Sequence, residues 1–313
     1  MNIVFMGTPD FAVPSLEKII DNFNVLAVFT QPDKERGRGK KVTYSEVKEV
    51  AVANNIEVIQ PKSLRRDKEA IQRLKDLSPD FMIVVAYGQI LSKEVLDIPK
   101  YGCINLHGSL LPKYRGSAPI QWSVINGEKT AGNTTMLMDV GIDTGDMLLK
   151  QEVEVTKNMT SGDLYENLKT IGADLLVETI KKYANGEIIP EKQNDEESSH
   201  APMLDKKMGN IDWKSDAQKI HNLIRGLNPW PMAYTSYKGT TMKIHGSSVK
   251  NKEHDSIPGT ILEVTKEGIE VACGKDILVI EKLQFPGKKA MNVVDYLRGN
   301  DVEDGIILTR VEE

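Results

Sequence analysis

The sequence contains only two cysteines, Cys103 and Cys273, among its 313 residues. They lie far apart and form no Cys-x-x-Cys pair, which argues against a disulfide framework and against a structural zinc site. We therefore expect no bound metal. A chain with so few cysteines suits a reducing compartment, and we expect it to be cytoplasmic.

Long apolar runs are also absent. The first residues, Met1–Gly7, lack both the basic flank and the apolar length of a signal peptide. No stretch approaches the roughly 18 apolar residues that a membrane helix needs. We expect no association with membranes, and we expect a monomer.

An excess of positive charge is missing as well, because the formal net charge is -5. A protein that held nucleic acid by its overall charge would be basic, although a local basic patch remains compatible with this value. The Gly-x-Gly-x-x-Gly pattern of dinucleotide-binding proteins does not follow the first apolar run, which disfavours a nicotinamide-dependent oxidoreductase.

Short apolar runs alternate with helical patterns through the first half of the chain, which predicts a doubly wound, mostly parallel sheet. The predicted strands are Asn2–Met6, Val25–Thr30, Glu57–Ile59, Phe81–Ala86, Cys103–His107 and Thr134–Met138. The predicted helices of this half are Asp10–Asp21, Tyr44–Asn54, Asp67–Leu77 and Ala118–Asn126, followed by the longer Ser161–Asn185.

The length favours two domains. Residues 1–189 form the predicted catalytic domain, and the polar segment 190–208 reads as a linker. In residues 209–313, short strand-like runs separated by Gly or Pro predict a small β-barrel.

The most informative segment for chemistry is the predicted strand Cys103–His107. Alternation along a strand places Asn105 and His107 on the same side, at the strand end where α/β sheets bind ligands. An acidic, glycine-containing loop that includes Asp143 follows another predicted strand. An amide, an imidazole and a carboxylate together suit acyl transfer to an external amine, because the oxyanion needs donors and protons must move. Taken alone, an Asn-x-His pair is more commonly a satisfied polar pair at a strand end.

The wider context resembles the folate-dependent formyltransferases. Asn105-Leu106-His107 is followed by Ser109-Leu110-Leu111-Pro112, and Gly141-Ile142-Asp143-Thr144-Gly145 comes about 30 residues later. The resemblance implies that Asn105, His107 and Asp143 form the catalytic triad. It implies that the stretch Ser109, Leu110, Leu111 and Pro112 binds folate, and that 10-formyltetrahydrofolate is the formyl donor.

The turn at Gly88 follows a predicted buried strand. The resemblance implies that this turn lines the pterin pocket, where backbone groups can contact the pterin edge. A simple strand-to-helix turn is an equally good explanation of the residues alone.

A glycine-containing loop carries five basic residues and one acidic residue between Lys34 and Lys41. A mobile basic loop can follow a phosphate backbone, or it can simply be a solvated loop. Gly7-Thr8-Pro9-Asp10-Phe11, Phe29–Asp33 and Asn228-Pro229-Trp230-Pro231 resemble, in particular, the family members whose acceptor is initiator methionyl-tRNA.

That narrower resemblance implies that Arg38, Lys40 and Lys41 contact the tRNA. It also implies that the second domain is an OB-like barrel that supports tRNA binding, helped by Lys206 and Lys207. The barrel region itself is not basic, with 14 Lys and Arg against 15 Asp and Glu from Gly209 to Glu313.

Two other functions stay open on these patterns. The acceptor could be a nucleotide-linked amino sugar or a purine precursor, neither of which requires the basic loop or the barrel. Alternatively, the chain could be a non-catalytic RNA-binding protein, although the intact Asn105, His107 and Asp143 argue against that.

The basic loop leads to a first prediction. We expect Arg38→Ala to weaken the use of charged tRNA, because it removes a phosphate-binding cation, while folate affinity stays unchanged. Steady-state kinetics against tRNA and direct titration with folate measure the two effects. Equal losses in both would show that the loop has no role specific to tRNA.

Overall fold

The computed structural model of the chain describes residues 1–36 and 41–312. Its strands are β1 Asn2–Gly7, β2 Asn24–Phe29, β3 Lys34–Arg36, β4 Lys41–Thr43, β5 Glu57–Ile59, β6 Phe81–Val85, β7 Cys103–His107, β8 Arg115–Gly116, β9 Thr130–Leu137, β10 Met147–Glu154, β11 His200–Ala201, β12 Ala233–Tyr237, β13 Thr240–Lys250, β14 Ile261–Val264, β15 Ile269–Ala272, β16 Ile277–Gln284 and β17 Met291–Asn292. Its α-helices are α1 Val13–Asn22, α2 Glu46–Ala53, α3 Lys68–Leu77, α4 Lys93–Leu96, α5 Pro119–Ile125, α6 Ser161–Ala184, α7 Ala217–Gly226 and α8 Val293–Tyr296. Short 3-10 helices span Asp10–Ala12, Leu64–Arg66, Asp195–Glu197 and Lys206–Gly209.

The chain divides into two compact units. Unit 1 comprises Met1–Gly116, Ala131–Val153 and Tyr165–His200, and unit 2 comprises Ser117–Thr130, Glu154–Leu164 and Ala201–Glu313. Two segments that interrupt unit 1 in the sequence, one of them containing α5, therefore belong to unit 2. The predicted boundaries, with domains at 1–189 and 209–313, treated each domain as one continuous stretch and stay a prediction.

Unit 1 is built on a seven-stranded sheet with the order β10-β9-β7-β6-β1-β2-β5. The pairs from β5 through β2, β1 and β6 to β7 are all parallel. In the interior strand β1, Ile3, Val4, Phe5 and Met6 are fully buried. A strand buried on both faces is typical of a parallel sheet that is covered on both sides, so the doubly wound prediction is confirmed.

The strand order reverses direction between β1 and β6. The chain runs outward from β1 through β2 to β5, and then returns to place β6 on the other side of β1. Doubly wound sheets bind ligands at such a switch point, beyond the carboxyl ends of the strands. In this sheet the loops that follow β1, β6 and β7 lie near that point, so the fold itself indicates where a site should be.

The far edge of the sheet departs from the parallel arrangement. Strand β9 pairs antiparallel with β7, with Asn105 opposite Met136 and His107 opposite Thr134. The strand β10 was not predicted, because half of its sequence Met-Leu-Leu-Lys-Gln-Glu-Val-Glu is polar. Its burial alternates from residue to residue, which is typical of a strand with one solvated face.

Unit 2 contains a mainly antiparallel sheet of the order β12-β13-β16-β15-β14, with β17 paired to β16. The two outer strands are joined through the end of the chain. The Ser236 and Thr309 backbones exchange hydrogen bonds of 2.8 and 3.1 Å, and Leu308 donates to the Gly259 carbonyl at 2.8 Å. Because residues 305–309 bond to both edges, the sheet closes on itself, as the barrel prediction requires.

The barrel core is apolar and shared between α7 and the strands. It includes Ile220 and Ile224 from α7, Ile244 from β13 and Leu308 from the closing segment. Leu308 is 2% exposed, whereas the adjacent Ile307 is 43% exposed. The closing segment thus alternates between core and solvent like a regular strand.

Among the residues that the structure describes, no helix is both long enough and apolar enough to cross a membrane.

The closing segment generates a stability prediction. We expect Leu308→Ala to lower the free energy of unfolding by about 2–5 kcal/mol, because it leaves a cavity in the barrel core. Ile307→Ala is the matched control, and we expect a much smaller change because that side chain faces solvent. Urea denaturation of both variants measures this, and equal losses would contradict the inward placement of Leu308.

Candidate active site

Asn105 and His107 lie on β7, which is hydrogen-bonded between β6 and β9. Asn105 is partly exposed and His107 is buried. Among the described residues, the Asn105 side-chain amide has no hydrogen-bond partner in the protein, so its donors are free for a ligand. The alternation of β7 places this free amide on the same side of the sheet as the imidazole.

Both ring nitrogens of His107 face oxygen atoms. Nε2 lies 2.9 Å from the Tyr114 carbonyl oxygen. Since a carbonyl can only accept, Nε2 must carry the hydrogen in this arrangement. Nδ1 lies 3.6 Å from Asp143 Oδ2, which is too long for a hydrogen bond but within the range of an ion pair when the ring is protonated.

Asp143 is positioned by main-chain contacts. Its backbone adopts a left-handed conformation, with φ at 55°. Its Oδ2 accepts a hydrogen bond of 2.8 Å from the Gly116 amide. The same loop is braced by Asp139, whose Oδ1 accepts from the Gly141 amide and the Thr144 hydroxyl. The loop therefore presents the Asp143 carboxylate toward His107 from a fixed backbone.

The Ser109–Pro112 stretch leaves β7 and is tied to β9. The Thr134 hydroxyl donates to the Ser109 carbonyl at 2.7 Å and accepts from the Leu111 amide at 3.1 Å. Leu111 is buried beside Met136 and Met147, while Leu110 and Pro112 are partly exposed. The stretch is thus a fixed wall next to His107, with some of its surface accessible.

Gly88 lies beyond the end of β6 with φ at +80°, a conformation that favours glycine. The Gln31 side chain donates to the carbonyls of Tyr87 and Gly88 at 3.2 Å each. The Thr8 hydroxyl donates to the Tyr87 carbonyl at 3.1 Å. The loops that follow β1, β2 and β6 are therefore linked at the switch point of the sheet.

The residues expected to contact tRNA are placed only in part. Arg38 and Lys40 lie outside the described residues, and the side chain of Lys41 is not described. The strands β3 and β4 on either side pair antiparallel. Lys206 and Lys207 are exposed at the start of a 3-10 helix in unit 2, where the Asp205 carboxylate accepts from the Lys207 amide.

Sequence reasoning missed several groups that shape the site. Thr134 fell inside a predicted strand and gave no further signal. Gln193 fell inside the predicted linker, yet it is buried and bonded to the loop that carries Asp143. The Gly116 amide and the Tyr114 carbonyl are backbone groups, which a sequence pattern does not reveal.

No cluster of three or more metal-ligating side chains occurs in the part of the chain that the structure describes. The two cysteines are buried, and burial raises the pKa of each thiol to about 12. Both therefore stay protonated near neutral pH, as expected of core residues.

Comparison with known proteins agrees with this geometry. Residues 1–180 match the formyl transferase family, and residues 203–301 match the formyl transferase C-terminal domain. The chain therefore belongs to the formyl transferase family.

Individual relatives define the group more narrowly. The methionyl-tRNA formyltransferase of Clostridium novyi (strain NT) is 62% identical over 97% of this chain and 98% of that protein. The methionyl-tRNA formyltransferase of Clostridioides difficile (strain 630) is 53% identical over 98% of this chain and its own full length. Within the family, this chain thus groups with the methionyl-tRNA formyltransferases.

A solved structure shows the same fold. The N-formyltransferase of Helicobacter canadensis, in complex with folinic acid and dTDP-3-aminofucose, superposes with a TM-score of 0.66. It is 25% identical, and the match covers 89% of this chain and 97% of that one.

Proposed function

We propose that this protein transfers the formyl group of 10-formyltetrahydrofolate to the α-amino group of methionine esterified to initiator tRNA. The observation that carries the proposal is the identity of 53–62% to methionyl-tRNA formyltransferases over nearly the whole chain. The free Asn105 amide and the facing pair of His107 and Asp143 supply the chemical centre for this reaction.

The proposed reaction begins when the neutral α-amine attacks the formyl carbon. An α-amino group has a pKa near 7.7–8.0, so a useful fraction is neutral at pH 7. A carbon–nitrogen bond forms and the formyl oxygen becomes an oxyanion. The bond to the folate nitrogen then breaks, and the proton lost by the amine passes to that nitrogen. No nucleophile from the protein is needed.

The side chains act on the oxyanion. Asn105 donates its uncommitted amide to the formyl oxygen. His107 exchanges its Nε2 hydrogen bond to the Tyr114 carbonyl for one to the formyl oxygen, while Asp143 stays 3.6 Å from Nδ1 on the other side of the ring. Proton transfer from amine to folate nitrogen runs through water.

We assign folate to the carboxyl edge of the sheet in unit 1. Its pterin ring would lie against Gly88, and Ser109, Leu110, Leu111 and Pro112 would form the adjoining wall. The switch-point position of these loops supports this assignment. The carrier holds the formyl group next to β7, where the catalytic side chains lie.

We assign tRNA to the basic residues Arg38, Lys40 and Lys41, together with Lys206 and Lys207. Lys206 and Lys207 are exposed, which suits contact with phosphates. Because the C-terminal region has no net positive charge, this contact would run along a local basic surface. We further propose that the protein works in the cytoplasm as a monomer without a membrane partner.

A nucleotide-linked amino sugar is the alternative acceptor, since the Helicobacter canadensis enzyme shares this fold. Its lower identity makes this the weaker alternative. Formylation assays with Met-tRNA, free methionine and dTDP-3-aminofucose distinguish the acceptors. Turnover of the sugar nucleotide without turnover of Met-tRNA would overturn the proposal.

The oxyanion assignment predicts the effect of two substitutions. We expect Asn105→Ala and His107→Ala each to lower the single-turnover rate of formylation about 10²–10³-fold, because each removes a donor to the oxyanion. Asn54→Ala removes a surface asparagine on the C-cap of α2 and serves as the control. Rates near wild type for the two site variants would end the assignment.

The wall beside β7 predicts an effect on folate binding. Thr134→Val keeps the side-chain shape but removes the hydrogen bonds to Ser109 and Leu111. We expect roughly 5–30-fold weaker binding of folinic acid, from about 1–2 kcal/mol of lost hydrogen bonding. Thr170→Val, which loses one exposed bond to the Glu166 carbonyl on α6, is the control. Titration calorimetry measures both, and an unchanged affinity in Thr134→Val would contradict the folate assignment.

A further inference from the structure

We infer that Gln193 is a positioning residue for the reaction, which it serves by fixing the main chain on both sides of the Asp143 carboxylate. This inference rests on the proposed function, because it takes Asp143 as part of the catalytic centre. Gln193 lies in the polar segment that sequence patterns describe as a linker. It is only 6% exposed.

Both amide hydrogens and the carbonyl oxygen of Gln193 make hydrogen bonds, which favours one orientation of the amide. Its Nε2 donates to the Asp143 carbonyl at 2.8 Å and to the Gly145 carbonyl at 2.7 Å. Its Oε1 accepts from Arg115 Nε at 2.9 Å. An amide is the one neutral side-chain group that can donate twice and accept at the same time. The three contacts therefore specify glutamine rather than a polar residue in general.

These contacts join the two segments that determine where the carboxylate lies. One segment is the loop itself, in which Asp143 has a left-handed backbone. The other is Arg115–Gly116, whose Gly116 amide binds Asp143 Oδ2 at 2.8 Å. Gln193 binds the loop by donating to the Asp143 and Gly145 carbonyls, and it binds the second segment by accepting from the Arg115 side chain. It thereby sets the distance between the carboxylate and the amide that orients it.

The surrounding loop cannot replace this support by packing. Gly145 lies so close to β9 that a Cβ atom there would come within 1.7 Å of the Leu137 carbonyl oxygen. The loop is thus attached to the sheet at its two ends, by the close approach of Gly145 and by the hydrogen bond from the Met138 amide to the Cys103 carbonyl. Asp139 braces its exposed turn, and its side-chain contacts do not reach the Asp143 backbone. The hydrogen bonds from Gln193 hold the part of the loop that carries the carboxylate.

The inference predicts a separation of kcat from KM. We expect Gln193→Ala to lower kcat about 10–100-fold, because misplacing a reacting group by about 1 Å can cost about 10²-fold. The KM values for Met-tRNA and for the folate donor should change little, since Gln193 contacts neither assigned binding surface. Thr179→Val is the matched control, as it removes buried hydrogen bonds to Leu175 and Thr135 in unit 1. We expect it to lower the Tm without lowering kcat comparably.

A charged variant tests the hydrogen bond to Arg115 separately from the hydrogen bonds to the Asp143 and Gly145 carbonyls. Gln193→Glu keeps the acceptor for Arg115 but cannot donate to the carbonyls of Asp143 and Gly145 when ionised. We expect its kcat to fall at least as far as that of Gln193→Ala. A wild-type kcat in Gln193→Glu would overturn the inference, because it would show that the bond to Arg115 alone suffices.

The double variant provides the decisive comparison. If Gln193 acts through Asp143, Gln193→Ala should cause little further loss in an Asp143→Asn background, as residues that work as a unit are non-additive. If the rate losses of the two single variants simply add in the double variant, measured by single-turnover assays, Gln193 has only a general structural role. The proposed function fails separately, if the wild-type enzyme does not formylate Met-tRNA, whereas an active Asp143→Asn enzyme would remove the catalytic role of Asp143 on which this inference rests. An inactive Asp143→Asn enzyme with a fully active Gln193→Ala enzyme would overturn only the present inference.

Discussion

The separation between the Asp143 carboxylate and the His107 imidazole depends on main-chain hydrogen bonds more than on a direct bond between the two groups. At 3.6 Å, Nδ1 and Oδ2 are not hydrogen-bonded, so their attraction alone does not hold them in place. The Gly116 amide holds the carboxylate, and the Tyr114 carbonyl holds the opposite side of the ring. Both groups come from one short segment, 114–116. That segment is in turn bonded to Ser199 through the amides of Tyr114 and Arg115. The chemistry of two side chains thus rests on the conformation of a third piece of chain.

The sheet explains why this segment is available. β7 is the last strand of the parallel run, and its other neighbour, β9, is antiparallel. The antiparallel strand places Thr134 opposite His107, and its hydroxyl fixes the chain that leaves β7. A further parallel strand would have required a crossover connection from the opposite edge. Because β9 runs antiparallel to β7, the Asp143 loop that follows it begins beside Cys103, where the Met138 amide donates to the Cys103 carbonyl, and the loop then places Asp143 within 3.6 Å of His107.

Most of the regular structure was predictable because it depends on local periodicity. Glu57–Ile59 and Cys103–His107 were predicted with the bounds that the structure shows. β10 was not predicted, because an edge strand with one solvated face contains too few apolar residues to stand out in the sequence. The placement of α5 in unit 2 was not predicted, because it depends on long-range packing, which leaves no local pattern in the sequence.

The residues of the site likewise divide into those that the sequence predicted and those that it did not. Asn105, His107 and Asp143 were found because each has a distinctive side chain in a recognisable spacing, and their catalytic roles stay a prediction. The supporting groups were missed, since an amide of Gly116 or a carbonyl of Tyr114 is present at any residue. Gln193 was missed for a different reason: a single glutamine in a polar stretch looks the same whether it faces solvent or the interior. What sequence patterns omit here is the apparatus that orients the reactive groups.

The closing segment of the barrel has a consequence for the life of the chain in the cell. Residues 305–309 satisfy the backbone groups of two outer strands, and they are synthesised after all the named strands of the barrel. Until they emerge, β12 and β14 expose unpaired edges, which readily join with strands of other molecules. A polypeptide cut short before Gly305 would keep nearly all of its apolar core residues while lacking the piece that seals the sheet. Such fragments would be prone to self-association and suited to chaperone capture.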